Sequence, residues 1–230
     1  MAARKVKRLA VLGLYNSGST AVAAMLHHLG VNMAPPYWVA LDRKFNENYY
    51  EPYELSWHLR QWWEEPRITE RTPAQVRVRY LRQWAVLQES LGLSPIVGAK
   101  HPLLSLCGED LLEAWGQDTL FIWSWRPLTD SVSALQRRGW FGEHARQIQE
   151  RLWEALQQFD KVHPGLVFKL DWDHVKSDPL WAAHELASLC GIVADDDRLK
   201  VVASQIRPST SSREMNPKPL AFLKRAKSRK

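Results

Sequence analysis

The chain has 230 residues, 45% hydrophobic and 24% charged, which excludes a disordered protein and supplies enough chain for one large domain with its own core. Its formal charge of +6 comes from one end: six of the 31 basic residues lie in 216–230 with no acidic residue among them, leaving 25 basic against 25 acidic residues elsewhere. Net charge is therefore no argument for a nucleic-acid partner, and none is expected. In chain order, the apolar run from Val6 to Gly13 predicts a strand. Val22, Met25, Leu26 and Leu29 then recur at helical spacing, and Gly30 suits the C-terminal cap. Residues 31–72 are rich in Pro, Asn, Tyr and Trp, with a helix over Tyr53 to Trp63; so long an irregular stretch marks a functional or mobile region. Thr72 caps and Pro73 opens the next helix, whose apolar stripe reads Val76, Tyr80, Trp84, Leu87 and Leu91 before Gly92. Further strands are predicted at Ile96 to Ala99, Thr119 to Trp125 and Leu166 to Leu170. Further helices are predicted near Ser105 to Trp115, after Arg126-Pro127, through Ile148, Leu152, Ala155 and Phe159, and from Asp178-Pro179 to Gly191.

Apolar strands alternating with helices predict an α/β fold, a three-layer doubly wound parallel sheet. Residues 1–215 read as a single domain and 216–230 as a basic C-terminal tail, either solvated or in contact with an acidic or phosphate-bearing partner. Cys107 and Cys190 give no disulfide framework, which fits a reducing compartment. The basic-then-apolar start ends at Tyr15-Asn16-Ser17 without a small-residue cleavage site, so a signal peptide is not expected. No apolar run approaches the length of a membrane span, and a cytoplasmic protein is expected. No His-Glu-x-x-His pattern or cysteine pair suggests a metal site.

The stretch that carries chemistry is GLYNSGST, residues 13–20, set between the first strand and the first helix. Its outline is a phosphate loop, but Ser19 stands where a nucleotide-hydrolysing loop has the lysine that reaches the β and γ phosphates. Backbone N–H groups at such a turn form an anion-binding concavity, reinforced by the helix dipole. Gly18 allows close approach, and Ser17, Ser19 and Thr20 bring hydroxyl donors; the same residues also suit a plain helix start. Arg126 ends an apolar strand, at the edge where open α/β sheets bind ligands, and its fork suits a phosphate. Lys100 and His101 end another strand on that edge. A histidine there is a candidate general base, or a hydrogen-bonded structural residue.

Tyr15-Asn16-Ser17-Gly18-Ser19-Thr20 resembles the 5′-phosphosulfate loop of the sulfotransferases, which also lacks the nucleotidase lysine. Phe121 through Arg126 to Ser133 is similar to their 3′-phosphate element, and Lys169-Leu-Asp171-Trp-Asp173 through Asp178-Pro179 to Gly191 to their late strand and helix. Asn46-Glu-Asn-Tyr-Tyr50-Glu51 resembles the stretch that leads into the acceptor-side helix of the bacterial members. The resemblance implies 3′-phosphoadenosine 5′-phosphosulfate as donor, adenosine 3′,5′-bisphosphate as product, no metal, and a small-molecule or glycan-like acceptor. It implies a donor site of Asn16, Ser17, Gly18, Ser19, Thr20, Arg126 and Ser133, with His101 or Glu51 as base. Asn16 departs from the family's Lys or Arg, and Lys100 is the expected substitute for that charge. Ser133 is offset by one residue, since counting from Arg126 falls on Ala134. Trp38, Trp57, Trp62 and Trp63 flank the acceptor region, where they either pack in the core or hold a ring or sugar. Arg207-Pro208 and Arg213 are further candidates for the 3′-phosphate. A non-catalytic relative that binds the nucleotide or a partner protein, and an ATP-dependent kinase-like enzyme, are the alternatives.

Overall fold

The computed structural model describes residues 6–39, 48–64 and 68–206. Its central sheet has four parallel strands: β1 (Arg8–Gly13) lies between β6 (Val97–Lys100) and β7 (Thr119–Trp125), and β8 (Val167–Asp171) pairs with the far side of β7. Two antiparallel pairs stand apart, β2 (Tyr37–Val39) with β3 (Asn48–Pro52) and β4 (Trp63–Glu64) with β5 (Thr69–Glu70).

Alternation along the strands divides the interior in two, as it must in a parallel sheet covered on both faces. Leu9, Val11, Leu120, Ile122 and Leu170 face one layer, packing on α1 (Ser19–His28), α8 (Pro179–Cys190) and α9 (Asp196–Ala203). Ala10, Leu12, Val97, Ala99, Phe121 and Trp123 face the other, packing on α2 (Tyr53–Trp62), α3 (Ala74–Ser90), α4 (Gly108–Trp115) and α6 (Ala145–Val162). This is the three-layer doubly wound arrangement. α5 (Leu128–Arg137) and the short α7 (Trp172–Ser177) follow β7 and β8 at the carboxyl edge. The side chains of Asp171, Asp178 and Asp195 cap α7, α8 and α9 by accepting first-turn N–H groups.

One element sits rotated from its expected position. On α3 the buried residues are Arg77, Val78, Leu81, Trp84, Ala85 and Gln88, while Val76, Leu87 and Leu91 are exposed. The physical reason is Arg77, whose guanidinium pairs with Asp110 at 2.6 Å and with Glu70, and lies 4.9 Å over the Trp63 ring. A charge neutralised in this way can occupy the inner face, and the apolar stripe turns outward.

Among the described residues no helix is long and apolar enough to cross a membrane. Asn46, Glu47, Arg207-Pro208, Arg213 and the basic tail 216–230 lie outside the described residues, as does the Trp38 side chain.

Candidate functional site

The chain steps from β1 to β6 on one side and then to β7 on the other, so the sheet's direction of winding reverses between β1 and β7. Ligands of doubly wound sheets bind in the crevice at that point. Residues 14–18 turn over it, with Asn16 at φ 60 and Gly18 at φ 89 in the left-handed region. Position 18 admits only glycine, because a Cβ there would overlap the indole of Trp172.

Four side chains from elsewhere in the chain hold the loop's carbonyls. The Ser105 hydroxyl accepts the Gly13 N–H at 3.0 Å and donates to the Gly13 carbonyl at 3.1 Å. Gln149 brackets Tyr15, accepting its N–H at 3.1 Å and donating to its carbonyl at 2.8 Å. Arg126 donates to the Asn16 carbonyl and Ser124 to the Ser17 carbonyl, each at 2.8 Å. The acceptors of residues 13, 15, 16 and 17 are thereby satisfied. The N–H groups of Ser19 and Thr20, at the opening of α1, have no intrahelical acceptor. Asn16 Nδ2 and Arg126 Nε are buried and have no hydrogen-bond partner among the described residues. Donors without acceptors beside a helix N-terminus fit an anion. Ser17 is fully buried, and a Cβ on Gly13 would come within 2.6 Å of its hydroxyl, so its side chain is an internal part of the turn.

A second cluster adjoins the loop. Lys100 is one of the largest fully buried side chains, 2% exposed, and its ammonium donates to Thr20 Oγ1 at 3.0 Å and to Glu51 Oε1 at 2.6 Å. The other carboxylate oxygen of Glu51 lies 3.7 Å from His101 Nε2. Burial is the largest single influence on the Glu51 carboxyl and acts to raise it, but the surrounding basic groups together, the charge and hydrogen bond of Lys100 foremost, hold the group below its ordinary value. Complete burial pushes the His101 imidazole down to about 4 despite the nearby Glu51 carboxylate, so the ring is neutral at neutral pH. Its Nδ1 accepts the Leu103 N–H at 3.0 Å, which leaves the proton on Nε2, toward Glu51. With one nitrogen occupied and the other protonated, His101 has no lone pair to offer an acceptor hydroxyl. Glu51 has lone pairs, one set shared with Lys100. Directly before it, Tyr50 takes a left-handed backbone at φ 51, packed between the rings of His27 and Tyr37 at 5.4 and 5.1 Å.

The structure thus joins Thr20, Lys100, Glu51 and His101 in one cluster, and Asn16 and Arg126 in an adjacent one. Ser133 is exposed on α5, whereas Ser131 is fully buried with an unpartnered hydroxyl. Trp62 and Trp63 are core residues, and Trp57 is 51% exposed on α2. Residues that local patterns did not single out are Ser105, Ser124, Gln149 and Trp172. Gln149 left one trace, being the one polar residue on the buried face of α6. A shallow cavity of about 330 Å³, lined by Gln117, His163, Pro164 and Leu166 among others, lies at the opposite, amino edge of the sheet. Among the described residues no three of His, Cys, Asp and Glu gather as a metal-binding group.

No protein-family model and no curated protein sequence matches the chain. Solved structures do. Sulfotransferase STF9 from Mycobacterium avium superposes with a TM-score of 0.59 at 13% identity, over 86% of this chain and 67% of that one. Sulfotransferase STF1 from Mycobacterium tuberculosis H37Rv superposes with a TM-score of 0.50 at 16% identity, over 87% of this chain and 72% of that one. At such identities the likeness is one of backbone architecture, and the architecture of this chain is the sulfotransferase fold.

Proposed function

We propose that this protein is a sulfotransferase that moves a sulfuryl group from 3′-phosphoadenosine 5′-phosphosulfate to an acceptor hydroxyl or amine. The observation that carries this reading is the loop at residues 13–20. Its carbonyls are held by other side chains, and its orphaned donors and first-turn N–H groups sit at the switch point of the sheet. The donor supplies an activated sulfuryl group and a phosphate leaving group. The loop N–H groups and Asn16 Nδ2 are placed to stabilise negative charge on that phosphate, with no reorganisation needed at the moment of transfer. Arg126, at the end of β7, carries positive charge toward the same crevice and serves the donor's 3′-phosphate. Lys100 supplies the cation that Asn16 lacks, and Glu51 accepts the acceptor's proton. Ser19 in place of a lysine weighs against a magnesium-bound triphosphate as ligand.

Near-complete burial of Lys100 and His101, 2% and 1% exposed, favours a second reading: a relative that binds the nucleotide and transfers nothing. Calorimetry with adenosine 3′,5′-bisphosphate and with ADP tests both. The bisphosphate is expected to bind the more tightly, with sulfate transfer to at least one member of a panel of hydroxyl and amine acceptors. Folded protein that does not bind the bisphosphate overturns the donor assignment. Tight binding without transfer to any acceptor selects the second reading.

A further inference from the structure

We propose that donor binding at the phosphate loop draws the Lys100 ammonium away from Glu51, and that the proton affinity of the Glu51 carboxylate rises as this happens, so that a weak base becomes an effective one on the donor's arrival and, below the working pH, takes up a proton from solvent. The inference rests on the sulfotransferase reading above. Its basis is a single ammonium shared between two sides of the site, bonded to Thr20 in the first turn of α1 and to Glu51 at the end of β3.

The loop itself is short of positive charge. Asn16 is neutral, its carbonyl already takes one Arg126 N–H, and the remaining clamps are hydroxyls and an amide. An incoming phosphate group therefore meets Lys100 as the buried cation bonded to the loop's own hydroxyl. Two of the three ammonium N–H groups are committed, one to each side. A multiply charged anion at the loop outweighs one carboxylate, and in this buried setting solvent screens the contest little.

The other groups around Glu51 determine how its carboxyl responds. The charged and titratable groups that face it are Lys100 and His101, from β6 and the turn after it, and Arg60 from α2. On α1, Thr20 presents a hydroxyl, and His27 packs on the Tyr50 ring, as does Tyr37 of β2. His101 is neutral, and Arg60 is exposed. Once the ammonium turns toward the donor, burial is left as the main influence on Glu51 and favours its protonated form. A carboxylate tied to Lys100 is a weak base, whereas one whose proton affinity approaches the working pH is an effective one. The left-handed backbone at Tyr50 is consistent with a carboxylate held in place for a task, since such strain persists only where the surroundings fix it.

The test is proton uptake on titration with adenosine 3′,5′-bisphosphate, read by calorimetry at about pH 6 in two buffers of different ionisation enthalpy, above the ordinary carboxylate pKa. Because the ligand's own phosphates also exchange protons, the quantity of interest is the difference between the unaltered protein and Glu51→Gln. The unaltered protein is expected to take up more protons per ligand bound, and equal uptake overturns the proposal. Infrared difference spectra of the unaltered protein provide a readout that does not depend on the variant folding. Ligand addition should convert carboxylate absorption to protonated-carboxyl absorption, and spectra without that change overturn the proposal as well. Bisphosphate binding without proton uptake defeats this inference alone, whereas absence of binding defeats the donor assignment and this inference together.

Discussion

The two halves of the site are built from different materials. The loop side is held by neutral groups, the Ser105 and Ser124 hydroxyls and the Gln149 amide, with Arg126 adding one bond to a carbonyl. The acceptor side is held by charges, Lys100 against Glu51 with neutral His101 beside them. Neutral hydrogen bonds neither attract nor repel an arriving anion and do not titrate near neutral pH. They keep a cradle in one shape. Buried charges answer both to ligand and to proton, so the same site contains a rigid half and a responsive half.

Breaking the responsive half should have the largest effect. Lys100→Met leaves the Glu51 carboxylate buried without its partner, and we expect a loss of about 3–5 kcal/mol in stability at neutral pH, measured by urea denaturation. The Glu51 carboxyl is held below its ordinary value in the folded chain, so the pair's contribution is present above the unfolded pKa and disappears as pH falls through the lower folded one. The gap between Lys100→Met and the unaltered protein should therefore narrow in acid. A gap independent of pH would show that the ion pair is not its source.

His101→Gln tests the neutral member of the charged half. The folded ring titrates at about 4 and the unfolded ring at 6.5, so the unfolded state binds the extra proton between those values. Stability of the unaltered protein should fall as pH drops through that window, by up to about 1.4 kcal/mol per unit from this residue. The variant should lose that share of the slope, and an unchanged slope would mean the ring is not held neutral.

On the rigid half, Arg126→Ala should weaken bisphosphate binding by about 1.5–3 kcal/mol in calorimetry, the scale of a hydrogen bond to a charged group. Ser133→Ala is the contrasting substitution: an exposed residue on α5 should change affinity by no more than about 0.5 kcal/mol. If Ser133→Ala proves as damaging as Arg126→Ala, donor contacts extend along α5 beyond what its exposure suggests.

Much of the scaffold was legible because local pattern and tertiary role agree in it. The strand at Thr119–Trp125 has the bounds its apolar run predicts, and the helix at Tyr53–Trp62 stops one residue short of its expected end. Local pattern misleads where a distant partner intervenes. The stripe on α3 was misjudged because apolar spacing cannot foresee that Arg77 meets Asp110 on α4. Glu51, Lys100 and His101 each stood out in the sequence, but for separate reasons. Their meeting depends on β3 lying beside β6 although β3 belongs to a different sheet, which no periodicity encodes. The helices α7 and α9 were missed because they are short, 6 and 8 residues, and capped by aspartates whose hydrogen bonds do not depend on an apolar repeat. Gln149, Ser105 and Ser124 act through backbone groups far along the chain, and a polar residue in a buried helix face was the sole hint of one of them.

The indole of Trp172 against Gly18 means that two distant positions in the sequence form one unit of inheritance. A side chain at 18 can be accommodated only with a smaller residue at 172, and even then φ 89 disfavours it. Any effort to graft a different phosphate loop onto this scaffold, for instance to change its nucleotide, must redesign the start of α7 in the same step. A library that varies residues 13–20 alone would return mostly misfolded loops wherever it replaced Gly18, for a reason located in the first residue of α7.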